Sequence, residues 1–261
     1  MHIQGRSHFK AVQWRDLLHL NRREIIVELS LSLPWLLSSC LAAAWGYYPI
    51  ALLCSFMFFL TGLRQVHNAY HYALGLSRPM TEWVMFILSI LMLGSMHAVK
   101  VNHLRHHRYC MEEEDVEAMS ARMPGWKAIL IGPWFPLRLH HKALQVANLT
   151  ERRWILSELQ ANLLWFWLVF AVFDVSWLKY HVAAMALGQC LTAFFAVWTV
   201  HHDCDPSQAR TVRGRFKALV TYNMFFHLEH HLFPAVPTCK LPSLAQRLDQ
   251  QAPDLSSKRV I

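Results

Sequence analysis

Histidine is gathered into four short stretches of this chain, and the spacing within them points to metal chemistry. His67 and His71 stand four apart; His103, His106 and His107 form an H-x-x-H-H pattern; His227, His230 and His231 repeat it; His201 and His202 are adjacent. These ten are most of the 17 histidines in 261 residues. On a helix, positions i, i+3 and i+4 share a face, so each longer pattern can aim two or three imidazoles at one point. Imidazoles converging from separate segments make a site for a transition metal. The three boxes supply eight, and the adjacent pair can add a ninth. A zinc ion takes three or four ligands, so this number suits two ions. Imidazole binds zinc, copper, iron and nickel alike, and the ligand type does not choose among them.

Single histidines call for a plainer reading. His2, His8, His19, His97 and His181 are expected to be hydrogen-bonded structural residues. His140 and His141 lie among Pro133, Pro136, Arg138 and Lys142 in what reads as a loop, where a head-group contact suffices. The six cysteines form no C-x-x-C, which argues against a zinc ribbon or a redox dithiol. Cys110 and Cys204 sit near histidine stretches, but packing is their expected role.

The elements that must carry these boxes are apolar. Hydrophobic residues make up 54% of the chain, mean hydropathy is +0.21 and charged residues are 16%, against roughly 25% in a soluble domain. Residues 25–45, 48–66, 159–178 and 182–200 are each apolar over 19 to 21 positions, enough to cross about 30 Å of hydrocarbon. Trp45, Tyr47, Tyr48, Trp177, Tyr180 and Trp198 crowd their ends as an interfacial belt does. A fifth stretch, residues 83–98, is shorter and reads as surface-lying or re-entrant. The expected fold is therefore an all-α membrane protein: four transmembrane helices with a cytoplasmic helical cap holding a histidine-ligated di-metal site.

Charge placement gives an orientation. Arg6, Lys10, Arg15, Arg22 and Arg23 precede the first span, and most other Lys and Arg residues lie in the middle and C-terminal segments. By the positive-inside rule both termini and the middle segment are cytoplasmic, which puts every box on one face. The net charge of +8 then reads as orientation and attraction to anionic head groups. The basic residues are interleaved with spans, which argues against a nucleic-acid partner. Three parts are expected: 1–24, a cytoplasmic amphipathic segment; 25–250, the membrane domain; and 251–261, a tail.

The order H-x-x-x-H, H-x-x-H-H, H-x-x-H-H on a four-span chain resembles the membrane fatty acid desaturase superfamily, which also contains hydroxylases and carotenoid ketolases. Residues 222–234 (YNMFFHLEHHLFP) are similar to the third box of bacterial acyl desaturases, and Val236-Pro237 and Leu241-Pro242 continue the likeness. The His202-Asp203-Cys204-Asp205-Pro206 segment resembles the family's extra histidine after the fourth span. The resemblance covers roughly residues 25–250. It implies a non-haem di-iron centre held by His67, His71, His103, His106, His107, His202, His227, His230 and His231, with His202 preferred over His201. It also implies oxygen-dependent attack on an unactivated C–H bond of a lipid or fatty acyl chain. Electrons would come from a separate donor such as ferredoxin, at a bacterial inner membrane.

Glu229, Asp203, Asp205 and Asp115 are candidates to anchor imidazole N–H groups. The acidic run 112–117 otherwise reads as a solvated helix face. Asn68 departs from the family, which commonly has Asp or Glu there. Three readings stay open: a lipid desaturase; a hydroxylase or ketolase inserting oxygen into a fatty chain or carotenoid; and a non-catalytic membrane metal binder or transporter. The last should place its ligands near the bilayer midplane, whereas these boxes gather at one face.

Overall fold

Long apolar runs punctuated by proline and glycine fold here into helices that turn where the punctuation stands. The computed structural model describes residues 12–204 and 209–251. Helix α1 (Arg22–Ser30) opens on a capping box, in which Asn21 and Glu24 satisfy each other's backbone N–H groups. Helix α2 (Leu33–Ala44) follows after a short break, with Pro34 in its first turn, where a missing N–H costs nothing. Gly46, at φ +79°, reverses the chain, and α3 (Tyr48–Tyr70) runs back against α2.

Next come α4 (Arg78–Leu91) and α5 (Met96–Tyr109), bent 114° to one another. Short helices α6 (Gly125–Leu130) and α7 (Trp134–Val146) lead to α8 (Leu149–Trp167), which continues as a π-helix over Leu168–Phe173. Helix α9 (Ser176–Thr192) widens into a second π-helix, Ala193–Trp198, and closes with one last turn, α10 (Thr199–His201). Helices α11 (Arg215–Val220), α12 (His227–Leu232) and α13 (Leu241–Gln251) end the described chain. No strand occurs among the described residues.

Four helical stretches are long and apolar enough to cross a membrane: Arg22–Ala44, Tyr48–Tyr70, Leu149–Phe173 and Ser176–His201. Large apolar side chains such as Leu41, Leu53, Leu163 and Phe166 project from them unburied, as a lipid solvent permits. The α4–α5 pair could be a fifth, broken span by composition. Its ends decide otherwise: His71, just before the pair, and His103, on α5, approach to 3.1 Å. The pair leaves and returns to one face, so it does not cross as a fifth span, in keeping with the surface-lying or re-entrant course expected of residues 83–98.

Two polar networks fix the helices that carry histidines. Glu28 of α1 is buried and paired with Arg64 of α3, and it also accepts from Asn68 Nδ2 at 3.0 Å. On α8, Glu158 caps the start of α5, accepting from Ser95 Oγ at 2.5 Å and from the His97 backbone N–H at 3.0 Å. His97 bridges Glu158 and Glu82 through its two ring nitrogens, at 2.6 and 2.5 Å. This is the structural role expected of it. His181 likewise bonds the Leu91 carbonyl at 2.9 Å. His140 and His141 lie on helix α7 rather than in a loop; Pro133 and Pro136 sit at its N-terminal turn, where proline is tolerated.

The N-terminal segment is described from Val12 onwards. It holds a short 3-10 turn, Arg15–Leu18, and packs its apolar side chains against the C-terminal part of the chain. Val12 and Leu17 are buried in one cluster with Phe226, Val236, Leu241, Leu244 and Leu248. Residues 1–11 and the tail 252–261 lie outside the described residues.

Candidate metal centre

The boxes converge because the helices bearing them all end at one face. His67 lies on the last turn of α3 and His71 caps it; His103, His106 and His107 line α5; His201 ends the fourth span; His227, His230 and His231 fill α12. Eight of these fall into two sets, His67 with His71, His103 and His230, and His106 with His201, His227 and His231. Within each set one potential ligand nitrogen per residue lies within 4.8 Å of all the others. His107 stands between the sets, its Nε2 2.9 Å from His230 Nε2 and 3.1 Å from His103 Nε2.

In the second set the Nε2 atoms form a closed ring: His106 to His201 3.0 Å, His201 to His227 2.9 Å, His227 to His231 3.1 Å, and His231 to His106 3.3 Å. Nitrogens about 2.1 Å from a common ion stand about 3.0 Å apart when they subtend a right angle, so this ring has the size of a coordination shell. Burial, followed by the neighbouring imidazoles, holds His227, His230 and His231 well below the usual imidazole range. They are neutral, with lone pairs to give. His67 Nε2 is buried without a hydrogen-bond partner, an orphaned donor atom of the kind an ion would satisfy. The residues therefore fit a pair of transition-metal ions.

Carboxylates fix two of the rings from behind. His106 Nδ1 donates to Asp115 Oδ2 at 2.7 Å, and Asp115 is itself held by the backbone N–H groups of Met111 and Ala118. Burial opposes charge on Asp115, but these bonds more than offset it and lower its pKa. His103 Nδ1 donates to Glu117 Oε1 at 3.0 Å. The ionised Asp115 favours the proton on Nδ1 of His106 and turns its Nε2 lone pair inward, whereas burial raises Glu117 to about 7 and weakens its hold on the His103 proton.

The acidic run thus divides. Glu112, Glu113 and Glu114 are exposed as expected, whereas Asp115 is buried and Glu117 partly so, because the chain leaves helical geometry after Tyr109 and folds back under α5. Nothing in the run's composition marks Glu117; its position under α5 does. The other candidates stand elsewhere. Glu229 is fully buried but accepts from Thr211 and Arg213, not from a histidine. Asp203 is exposed and lies beside His202, which is outside both sets, and Asp205 lies outside the described residues.

One expected ligand is corrected. His201, not His202, enters the centre; His202 stacks on Trp198 and its Nδ1 reaches the Ala121 carbonyl at 3.1 Å. The wider turn of the π-helix at Ala193–Trp198 shifts the face that follows it, and His202 has already left the helix with extended backbone.

Asn68 also gains a role. Its Oδ1 accepts from the Thr238 N–H at 3.0 Å and from the Thr238 hydroxyl at 2.7 Å. Arg64 Nη1 donates to the Tyr222 carbonyl at 2.7 Å. Neighbouring positions of α3 thus clamp the chain on both sides of α12. A carboxylate does stand beside position 68, that of Glu28 on α1, but it is bonded to Arg64 and to Asn68 Nδ2 rather than to a histidine.

An apolar cavity of about 370 Å³ meets the centre from the membrane side. His67, His103, His227 and Glu117 close its inner end, and Phe59, Leu63, Leu191 and Phe195 are among its walls. An almost wholly apolar passage thus ends on the histidine sets.

Comparison with known proteins agrees with this geometry. The chain is 27% identical over 197 residues to the sphingolipid delta(4)-desaturase/C4-monooxygenase of Bos taurus. That alignment covers 68% of this chain and 58% of the relative, so the chain spans little more than half of that protein's length. Residues 43–259, which include all of the boxes, match the fatty acid desaturase family, and the chain belongs to it.

Proposed function

We propose that the protein is a di-iron membrane oxidoreductase that uses dioxygen to desaturate a lipid chain. The observation that carries this reading is the pair of four-imidazole sets beside an apolar cavity. His67, His71, His103 and His230 would hold one iron, and His106, His201, His227 and His231 the other, with His107 between them. Bound iron would supply the activation of dioxygen needed to break an unactivated C–H bond.

The chain's own residues do the rest. The cavity walls hold the lipid and exclude water. Asp115 keeps a proton on Nδ1 of His106, and Glu117 holds that of His103 more weakly. One dioxygen, two external electrons and two protons, with a hydrogen taken from each of two adjacent carbons, give a double bond and two waters. The electrons come from a separate carrier such as a ferredoxin, and the centre faces the cytoplasm with both termini, in a bacterial inner membrane.

A second reading has specific support, since the name of the bovine relative carries both a desaturase and a monooxygenase activity. Insertion of one oxygen atom, with one water released, would yield an alcohol from the same centre. Metal analysis of detergent-purified protein beside a His106→Ala, His230→Ala double variant tests the centre. Iron at two per chain, lost in the variant, is the expected result; zinc, or a folded protein without metal, overturns it. Lipid mass spectrometry then separates a product lighter by two hydrogens from one heavier by oxygen.

A further inference from the structure

Residues 118–150 hold no Asp or Glu, although Arg122, Lys127, Arg138 and Lys142 stand among them. The stretch folds as α6 and α7, and Trp126, Ile129, Leu130, Trp134 and Leu137 project from it about half exposed or more. Neither helix is long enough to cross a bilayer. Large apolar side chains left open on short helices, with cations between them, belong in a membrane interface.

Contacts with the fourth span give the depth. With Ser176 at the far edge of the hydrocarbon, about 30 Å of it at ~1.5 Å per residue ends near Ala196. An added Cβ on Gly125 would meet the Trp198 ring at 3.1 Å, and one on Gly132 would meet the Cys190 carbonyl. The turn between α6 and α7 thus reaches about 9 Å below the head-group level, the rise of six helical residues. Helix α7 climbs from there to Ala143, which packs with Ile155 near the start of the third span. Between α7 and the turn Glu117–Arg122 lies a cleft of about 550 Å³, lined by Met119, Met123, Ile131, Trp134 and Arg138. It is apolar apart from the Arg138 guanidinium, which finds no ion pair or hydrogen-bond partner among the described residues. Lys142 stands one turn further along α7. The fourth span separates this cleft from the cavity at the metal centre: its Ala193 and Val197 pack on Phe135 and Leu139 of α7, whereas its Leu191 and Phe195 face the cavity.

We infer that this cleft binds an anionic phospholipid that is not the substrate. Its phosphate sits on Arg138, whose long side chain carries the charge up to head-group level, with Lys142 beside it. One of its tails fills the space between Met119, Met123, Ile131 and Trp134. A zwitterionic lipid brings a cation of its own, and no carboxylate lines the cleft to receive it. The occupant also bears on the metal centre. Met119 lies two residues beyond Glu117, which bonds His103, so a tail in the cleft props the turn that carries Glu117.

Two measurements on the full-length protein test this. Native mass spectrometry of delipidated protein compares dioleoylphosphatidylglycerol with dioleoylphosphatidylcholine on the wild type, Arg138→Gln and Arg138→Lys. Preferential retention of phosphatidylglycerol is expected, about fivefold weaker in Arg138→Gln, the effect of one interfacial cation, and largely kept in Arg138→Lys. In parallel, wild-type protein in liposomes is irradiated with phosphatidylglycerol carrying a diazirine in one tail, and labelled peptides are mapped. Labels on Met119, Met123, Ile131 or Trp134 are expected, removed by excess unlabelled phosphatidylglycerol but not by phosphatidylcholine. This labelling needs no variant and decides by itself if Arg138→Gln does not fold. Equal retention of both lipids by the wild type, unchanged binding in a folded Arg138→Gln, or labels on the spans without the cleft overturn the inference. So does a dimer in which Trp134 cross-links to a second copy of the chain.

Discussion

His106 Nε2 lies 3.0 Å from His201 Nε2, joining α5 to the end of the fourth span across 95 positions of sequence. This contact separates His201 from its neighbour. His201→Ala should strip metal from the second set and abolish turnover, whereas His202→Ala should keep its iron. Iron per chain in the two purified variants decides it, and equal loss from both would refute the assignment.

Asp115 acts through His106 rather than on substrate. Asp115→Asn removes the charge that favours the Nδ1–H tautomer, and losses of roughly 10–100-fold in metal affinity are typical of such changes. Competition with a graded chelator measures this. Glu117→Gln should behave more mildly, since its contact is longer, 3.0 Å against 2.7 Å, and burial raises Glu117 to about 7, which leaves less charge to lose.

The Glu28–Arg64 pair is buried inside the helix bundle. Removing one partner leaves an uncompensated charge, a change that typically costs about 3–5 kcal/mol. Glu28→Gln should therefore lower the thermal midpoint in detergent markedly, and Glu28→Leu with Arg64→Met should regain much of it. A single variant as stable as wild type would show the pair to be dispensable.

Gly132 faces the Cys190 carbonyl so closely that an added Cβ would stand 2.0 Å from that oxygen. No side-chain adjustment relieves a clash with backbone, so Gly132→Ala must push the turn before α7 away from the fourth span. Overpacking of this kind typically costs about 1–3 kcal/mol, read as a lower unfolding temperature.

Acid should loosen the metal-free protein. Burial, aided by Lys100, lowers His71 to about 4, and burial likewise lowers the α12 histidines. An unfolded imidazole titrates near ~6.5, so between these values the unfolded chain binds more protons than the folded one. Stability is then full above pH 6.5 or so and falls as pH drops towards 4. Unfolding midpoints of iron-stripped protein across that window check the sign; a flat or rising profile would contradict it.

Much of this architecture is legible in the residues. Apolar length marks all four spans, and the paired spacing of His103–His107 and His227–His231 marks the centre. What escapes is where local geometry departs from the regular helix. The third span begins at Leu149, ten residues before its apolar run, where Asn148 and Glu151 close a capping box; Glu158 is carried inside it by bonds to Ser95 and His97 that no linear pattern reveals. The π-helix before His201 changes phase without changing composition. Glu117 hides among exposed glutamates and is exceptional only through the backfolding that sets it beneath His103. Asn68 reads as a missing carboxylate until α1 is seen to bring Glu28 beside it.

The composition of the two histidine sets has a consequence for biogenesis. One set needs His230, and the other needs His227 and His231; everything else is contributed by chain made earlier. All four spans can be threaded into the bilayer while neither ion has its full complement of ligands. Loading must therefore wait until α12 has emerged from the ribosome and docked between Arg64 and Asn68. Metal acquisition then reports that synthesis has passed residue 231, and a product truncated before it lacks a complete ligand set for either ion.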